Sequence, residues 1–362
     1  MQPCANNRGG AARGPTDKGR SSQPNVLTIK RDRVTGIDFN TTAYNDILKQ
    51  LSSALEKRNF SSFSHSAAVA LLYHCGKSKC TRFPEGLIPL VVRDISFSNN
   101  DQGAKAIGNA VYGLQKLEGA EPSTHSLVSA LAAKVAASSA KLNAQEIGNA
   151  VYGLKNLDGS DGSTHALVAA LAEKVRASRA ELEAQEIGNA VYGLQNLAGS
   201  DGSTHALVAA LAAKVKESRA TLSAQHIGNA VYGLQNLAGS DGRTHALVAA
   251  LAAKVRASGA TLDAQAIGNA VYGLQNLAGS DGSTHALVAA LAEKVGISSA
   301  TLSAQAIGDA VYGLQKLDGS HGSTHRLVAA LAVKVVASKA TLSAQHSKRS
   351  TNPILPLPPH RS

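Results

Sequence analysis

A forty-residue stretch recurs six times without an insertion or deletion, and this restricts the fold more than anything else in the chain. One copy runs from Ala184 to Ser223 as AQEIGNAVYGLQNLAGSDGSTHALVAALAAKVKESRATLS; the others begin at Ala104, Ala144, Ala224, Ala264 and Ala304. A fixed period of this length is the mark of a solenoid or array, in which each unit buries its apolar face on its neighbours.

The unit reads as two helices. From Asn143, Ile147, Val151 and Leu154 recur at helical spacing. Asn143 with Glu146 forms the pattern of a capping box, and Gly159 past Leu157 supplies a stop. This is helix A. The turn formers Gly159 to Gly162 follow, Ser163 is placed to cap helix B, and Leu167, Leu171 and Val175 mark that helix's apolar side. No segment of the unit reads as a strand. The expected fold is therefore all-α, a right-handed α-solenoid of helix–turn–helix repeats. Gly148 and Gly153 lie inside helix A in every copy, at a cost of about 0.5–1 kcal/mol each relative to alanine. Close helix–helix packing explains them; room for a ligand's backbone is the other reading.

Around the array (104–343) the chain divides into a basic, Gly/Ser-rich segment expected to be disordered (1–37), a helical N-terminal cap (38–103) and a truncated repeat with a Pro-rich basic tail (344–362). The cap holds an amphipathic stretch, Thr42 to Arg58, and a worn copy of the unit in which HSAAVALLYH (65–74) matches helix A. At the other end, Val333 and Val336 stand where other copies carry Ala, Glu, Arg, Lys or Gly, although a terminal unit should become more polar outward. A seventh unit begins at Ala344-Gln345-His346 and breaks off at Ser347.

Charge is unevenly placed. The whole chain carries a formal +11, but the array holds 19 basic and 17 acidic residues, so the basic excess lies in the flanks. That weakens a simple case for the array as a polyanion binder. Three cysteines give no disulfide framework. No apolar run approaches the ~18 residues of a membrane span, and the N-terminus lacks the apolar core of a secretory leader. Its basic, acid-poor start suits an organelle transit peptide (mitochondrion or chloroplast) or a bacterial secretion signal that delivers the chain into a host cell.

Candidate chemistry is sparse. His74, Cys75 and Cys80 match no strong zinc spacing. The six histidines 125, 165, 205, 245, 285 and 325 are each one unit apart, about 10 Å or more, too far to share an ion. A polar role in the first turn of helix B is expected of them. No nucleophile–base pair or phosphate loop is visible, so neither an enzyme nor a metal or cofactor is expected.

Recognition residues stand out more clearly. Opposite the apolar face of helix A lies a stripe formed by Gln145, Asn149, Tyr152 and Asn156, repeated as Gln185, Asn189, Tyr192 and Asn196, as Gln225, Asn229, Tyr232 and Asn236, and as Gln265, Asn269, Tyr272 and Asn276. Amides bond base edges and aromatics stack on bases, so single-stranded RNA would fit this face. A buried amide ladder tying adjacent A helices is the other reading. Near the end of helix B runs a basic edge, Lys174 with Arg176, Lys214 with Lys216 and Lys254 with Arg256, where phosphates would track unless these cations only answer the helix dipole. In the tail, Pro356, Pro359 and Arg361 have the P-x-x-P-x-R form of a ligand for SH3-type domains.

The string AQEIGNAVYGLQNLAG (184–199) resembles helix A of the octotricopeptide repeat. Gln185, Glu186, Ile187, Asn189, Leu194 and Leu197 fall at matching places, and Tyr192 stands where that family has tryptophan. The resemblance covers about 104–343 and implies an α-solenoid that binds RNA, mostly in chloroplasts and mitochondria. This chain departs from the family by a longer unit, by missing prolines and by the lack of the nuclease-like module of many members. The same pattern is similar to tandem repeats of about this length in type III effectors of plant-associated bacteria, which implies an armadillo/HEAT-type scaffold working in a host cell. Two functions are thus expected: RNA binding along helix A, or a protein–protein interaction scaffold with the Pro-rich tail as a second handle.

Overall fold

The protein is seen in a computed structural model that describes residues 26–27, 46, 49, 53, 62–77, 83, 85–197, 201–277 and 281–338. The six units form a helical-repeat solenoid of two rows. The A row consists of Asp101–Tyr112, Ala144–Tyr152, Ala184–Tyr192, Ala224–Tyr232, Ala264–Tyr272 and Ala304–Gly313. The B row consists of Pro122–Ala137, Gly162–Ala177, Gly202–Glu217, Gly242–Ala257, Gly282–Ile297 and Gly322–Ala337. Each A helix packs on the next A helix and each B helix on the next B helix; contact between the two helices of one unit is much slighter. The core is the seam between the rows, where Ile147, Val151, Leu154, Leu167, Leu171 and Val175 and their equivalents in units one to five are buried.

The helix ends follow from local chemistry. Asn143 accepts from the Glu146 amide while the Glu146 carboxylate accepts from the Asn143 amide, the expected capping box. Ser223 and His226 make its counterpart in unit four. Two details differ from the expectation. The α-helix ends at Tyr152, not near Gly159, and tightens into a single 3-10 turn, Gly153–Asn156, before Leu157 turns extended. The cap of helix B is Asp161, not Ser163: its carboxylate accepts from the amides of Ser163 and Thr164, a stronger acceptor at the positive end of the dipole.

The helical glycines are packing residues. A Cβ on Gly153 would stand 2.0 Å from the carbonyl oxygen of Val111 in the preceding unit, and one on Gly193 2.0 Å from that of Val151. On the other side of helix A, a Cβ on Gly148 would meet the Glu186 backbone at 3.2 Å. Positions 146, 186, 226, 266 and 306, the most variable of helix A, are therefore pressed on the glycine of the unit before.

N-terminal to the array, helix His65–Lys77 packs on the first A helix and helix Ile88–Asp94 on the first B helix. Cys75 is buried in this core, and Cys80 lies outside the described residues. Of the expected helix 42–58, Asp46, Lys49 and Ser53 are described, and all three are helical. Within the segment expected to be disordered, Val26–Leu27 (β1) pairs in parallel with Ser62–Phe63 (β2). Asp94 anchors that pair by accepting from the Phe63 amide at 2.6 Å.

Candidate recognition face on the A row

The tyrosines of the stripe form one continuous stack. Ring centroids of Tyr73, Tyr112, Tyr152, Tyr192, Tyr232, Tyr272 and Tyr312 follow one another at 5.3–5.9 Å, the repeat rings inclined by only 17–22°. Burial pushes the phenols of Tyr152, Tyr192 and Tyr272 above their usual range. Inserting a base between two rings takes two stacking contacts, about 7 Å in all. The rings are closer than that, so their faces are already taken by one another.

The amides separate into three groups. Asn156, Asn196, Asn236 and Asn276 sit in the 3-10 turn and donate to backbone carbonyls of the preceding unit, those of Gln115, Lys155, Gln195 and Gln235, at 2.6–2.8 Å. Beside them runs a buried ladder that the helical spacing does not announce: Gln275 donates to Gln235 at 3.1 Å and Gln235 to Gln195 at 3.4 Å. Its signal in the sequence is a recurrent glutamine next to Leu194 and Leu234, on the apolar side of the helix. Lys155 interrupts this ladder. Its ammonium donates to the Tyr152 hydroxyl at 2.8 Å and lies 4.2 Å from that ring's centroid, and burial lowers its pKa. The Gln115 side-chain nitrogen, one unit earlier, is left buried without a partner.

The third group shares the outward side with Asn156, Asn196 and Asn236, which stay exposed while bonded to the preceding unit. Gln145, Gln185, Gln225 and Gln265 are exposed and Asn149, Asn189, Asn229 and Asn269 half-buried. Along units four to six these positions line clefts. One, of about 240 Å³, brings together Gln265, Asn269, Gln305 and Asp309 beneath the edges of Tyr192, Tyr232 and Tyr272; the next is lined by Gln225, Asn229, Asp263, Gln265 and Asn269. Asp309, which replaces asparagine in unit six, accepts from Gln305 at 3.5 Å.

The basic edge divides as well. Lys174, Lys214, Lys254, Lys294 and Lys334 each donate to the backbone carbonyl of the serine ending the preceding B helix, Ser138, Ser178, Ser218, Ser258 and Ser298. Each thus caps its neighbour's C-terminus, and Lys214 and Lys294 are buried doing so. Burial lowers the pKa of Lys174. Arg176, Lys216 and Arg256 are exposed on the B row, and Arg176 pairs with Glu173. The histidines also serve packing: His125, His165 and His245 bond the carbonyls of Gly119, Gly159 and Gly239 at 2.6–2.8 Å and approach the capping aspartates 161, 201 and 281 of the next unit at 3.5–3.9 Å.

Among the described residues no group of three or more His, Cys, Asp or Glu side chains converges as a metal site. No described helix is long and apolar enough to cross a membrane. Pro356, Pro359 and Arg361 lie outside the described residues. No known family model matches the chain, and no curated protein matches it either.

Proposed function

We propose that the chain is a non-enzymatic scaffold that holds an extended polypeptide along the A face. The observation behind this reading is the groove of outward amides, Gln225/Asn229 and Gln265/Asn269, repeating once per unit. Each amide offers a donor and an acceptor, the complement of a peptide group. Neighbouring helices lie about 8–10 Å apart, which matches roughly three residues of extended chain at ~3.3 Å each. The groove carries little positive charge, and the lysines of the neighbouring edge are bound to backbone carbonyls. RNA binding is the second reading. It is favoured by the resemblance to octotricopeptide repeats and by the exposed Arg176, Lys216 and Arg256, with bases meeting amide edges rather than tyrosine faces.

The test is binding of the full chain to a displayed library of random 12-residue peptides and to random single-stranded RNA, each at two salt concentrations. Peptide binding that varies little with salt and is lost in a Gln225→Ala, Asn229→Ala, Gln265→Ala, Asn269→Ala variant supports the scaffold. RNA binding that falls steeply with salt and is lost in the same variant overturns it in favour of the second reading. RNA binding unchanged by the variant assigns that affinity to the basic flanks.

A further inference from the structure

The clefts of the A face carry charge of one sign. Asp263 lies with Gln225, Asn229, Gln265 and Asn269 in one, of about 270 Å³, and Asp309 with Gln265, Asn269 and Gln305 in the next. Among the described residues, no Lys, Arg or His lines either cleft. The nearest cations of these helices are engaged or neutral. Lys316, beyond the tyrosines, donates to Asn276 Oδ1 at 2.6 Å. Burial lowers the pKa of His226 although Glu186 pulls the other way.

We infer that the extended polypeptide held on this face is a cationic one, with a lysine or arginine seated in each of these two clefts. The inference rests on the scaffold reading and names the ligand such a scaffold selects. Each cleft offers a carboxylate to the charged head and amide carbonyl oxygens to its remaining N–H groups. Asp263 spends one of about four acceptor sites on the Ala266 amide, at 2.7 Å. At the second cleft, the edges of Tyr192, Tyr232 and Tyr272 can cover the aliphatic stem of the ligand's side chain. The field of Asp309 reaches that edge: burial leads in raising the Tyr272 phenol, and the Asp309 carboxylate adds to the rise. Clefts one unit apart, about 8–10 Å, suit cations two or three residues apart in an extended chain at ~3.3 Å per residue.

Neither acid is required by the architecture. Asp263 caps its helix by accepting from Ala266, but Ser223 and Ser303 cap theirs by accepting from the equivalent amides. Asp309 stands where the other five copies have asparagine. What these two residues add over their counterparts is negative charge beside the outward amides. The same charge opposes a chain of phosphates.

The experiment is selection of a displayed library of random 12-residue peptides on the full chain. It is followed by fluorescence anisotropy of an enriched peptide and of its counterpart with every Lys and Arg replaced by Gln. Enriched peptides should carry two cations two or three residues apart. The Gln counterpart should bind wild type about 10-fold more weakly, and so should the original peptide to a variant with Asp263→Asn and Asp309→Asn. That variant keeps a capping side chain and the consensus asparagine, and it should no longer distinguish the two peptides. Two ion pairs make the affinity fall only modestly with salt, unlike the many phosphate contacts of an RNA. Enriched peptides without a cationic bias, or equal binding of both peptides to wild type, overturn the inference and leave the scaffold reading standing. A charge preference that survives in the double variant also overturns it, by placing the cation elsewhere. A library that yields no binding peptide overturns the scaffold reading and this inference with it.

Discussion

The A row and the B row share one period but are joined by different means. Between A helices the contact is backbone against backbone: Gly153, Gly193, Gly233 and Gly273 leave no room for a Cβ, and tyrosines and amides fill the ladder beside them. Between B helices it is side chain against backbone: Leu and Val fill the seam and a buried lysine caps the neighbour's C-terminus. The B helices also contain glycines, but Gly162, Gly202, Gly242 and Gly282 have open space where a Cβ would stand. The same residue type is indispensable in one row and incidental in the other.

The largest effect should come from breaking the closest contact. Gly193→Ala would drive a methyl group to 2.0 Å from the Val151 carbonyl oxygen, and we expect a loss of more than about 3 kcal/mol in a denaturant melt. Gly202→Ala, at the first position of a B helix, should be neutral or gain up to about 1 kcal/mol. Equal effects of the two would erase the distinction between the rows.

On the B side, Lys214→Met keeps the aliphatic stem and deletes the bond to Ser178, leaving a buried carbonyl unpaired. A cost of about 1–3 kcal/mol is expected, against less than about 0.5 kcal/mol for the exposed Lys216→Met. The reverse experiment on the A side is Lys155→Gln. It removes a partly buried ammonium and offers Gln115 the partner it lacks, so stability should increase by about 1 kcal/mol and the melting temperature should rise with it.

The smallest effect is a pH dependence of the loop edge. At Asp201 and Asp281 burial works to raise the carboxyl pKa, but hydrogen bonds from Ser203, Thr204, Ser283 and Thr284 outweigh it; at Asp161 the Ser163 bond leads. All three lie below the ordinary 3.8. Their stabilisation is complete above pH 3.8 and is lost as pH falls through the lowered values. Thermal melts between pH 5 and pH 2.5 (about the range that brackets these groups) should show a steeper acid limb for wild type than for a triple Asp→Asn variant at 161, 201 and 281.

Much of this architecture is legible in the residues alone. The capping box of Asn143 and Glu146 is written in four consecutive residues, and the packing role of Gly148 follows from a costly residue recurring in register. The recognition stripe is harder. A helical wheel at 100° per residue places Asn156 with Gln145, but the helix tightens after Tyr152, and Asn156, though exposed, spends a donor on the Gln115 carbonyl of the preceding unit. Gln195 and Gln235 fall on the apolar side of the helix, and their polarity is met there by a partner forty residues away. For the lysine edge, dipole compensation names the right chemistry on the wrong helix: Lys214 caps the preceding unit's B helix, not its own.

By itself, then, the sequence determined the period, the two helices of each unit and the apolar face each must bury, because these depend on spacing and on contacts within a turn or two of the chain. Tertiary structure alone decided which polar residues remain available for a ligand. Gln185 and Gln195, like Lys216 and Lys214, are of the same type and lie close in the unit, and they differ in whether a carbonyl or an amide of a neighbouring unit stands within bonding reach. That distance is set by how closely two helices stack, and here the glycines of the A row set it.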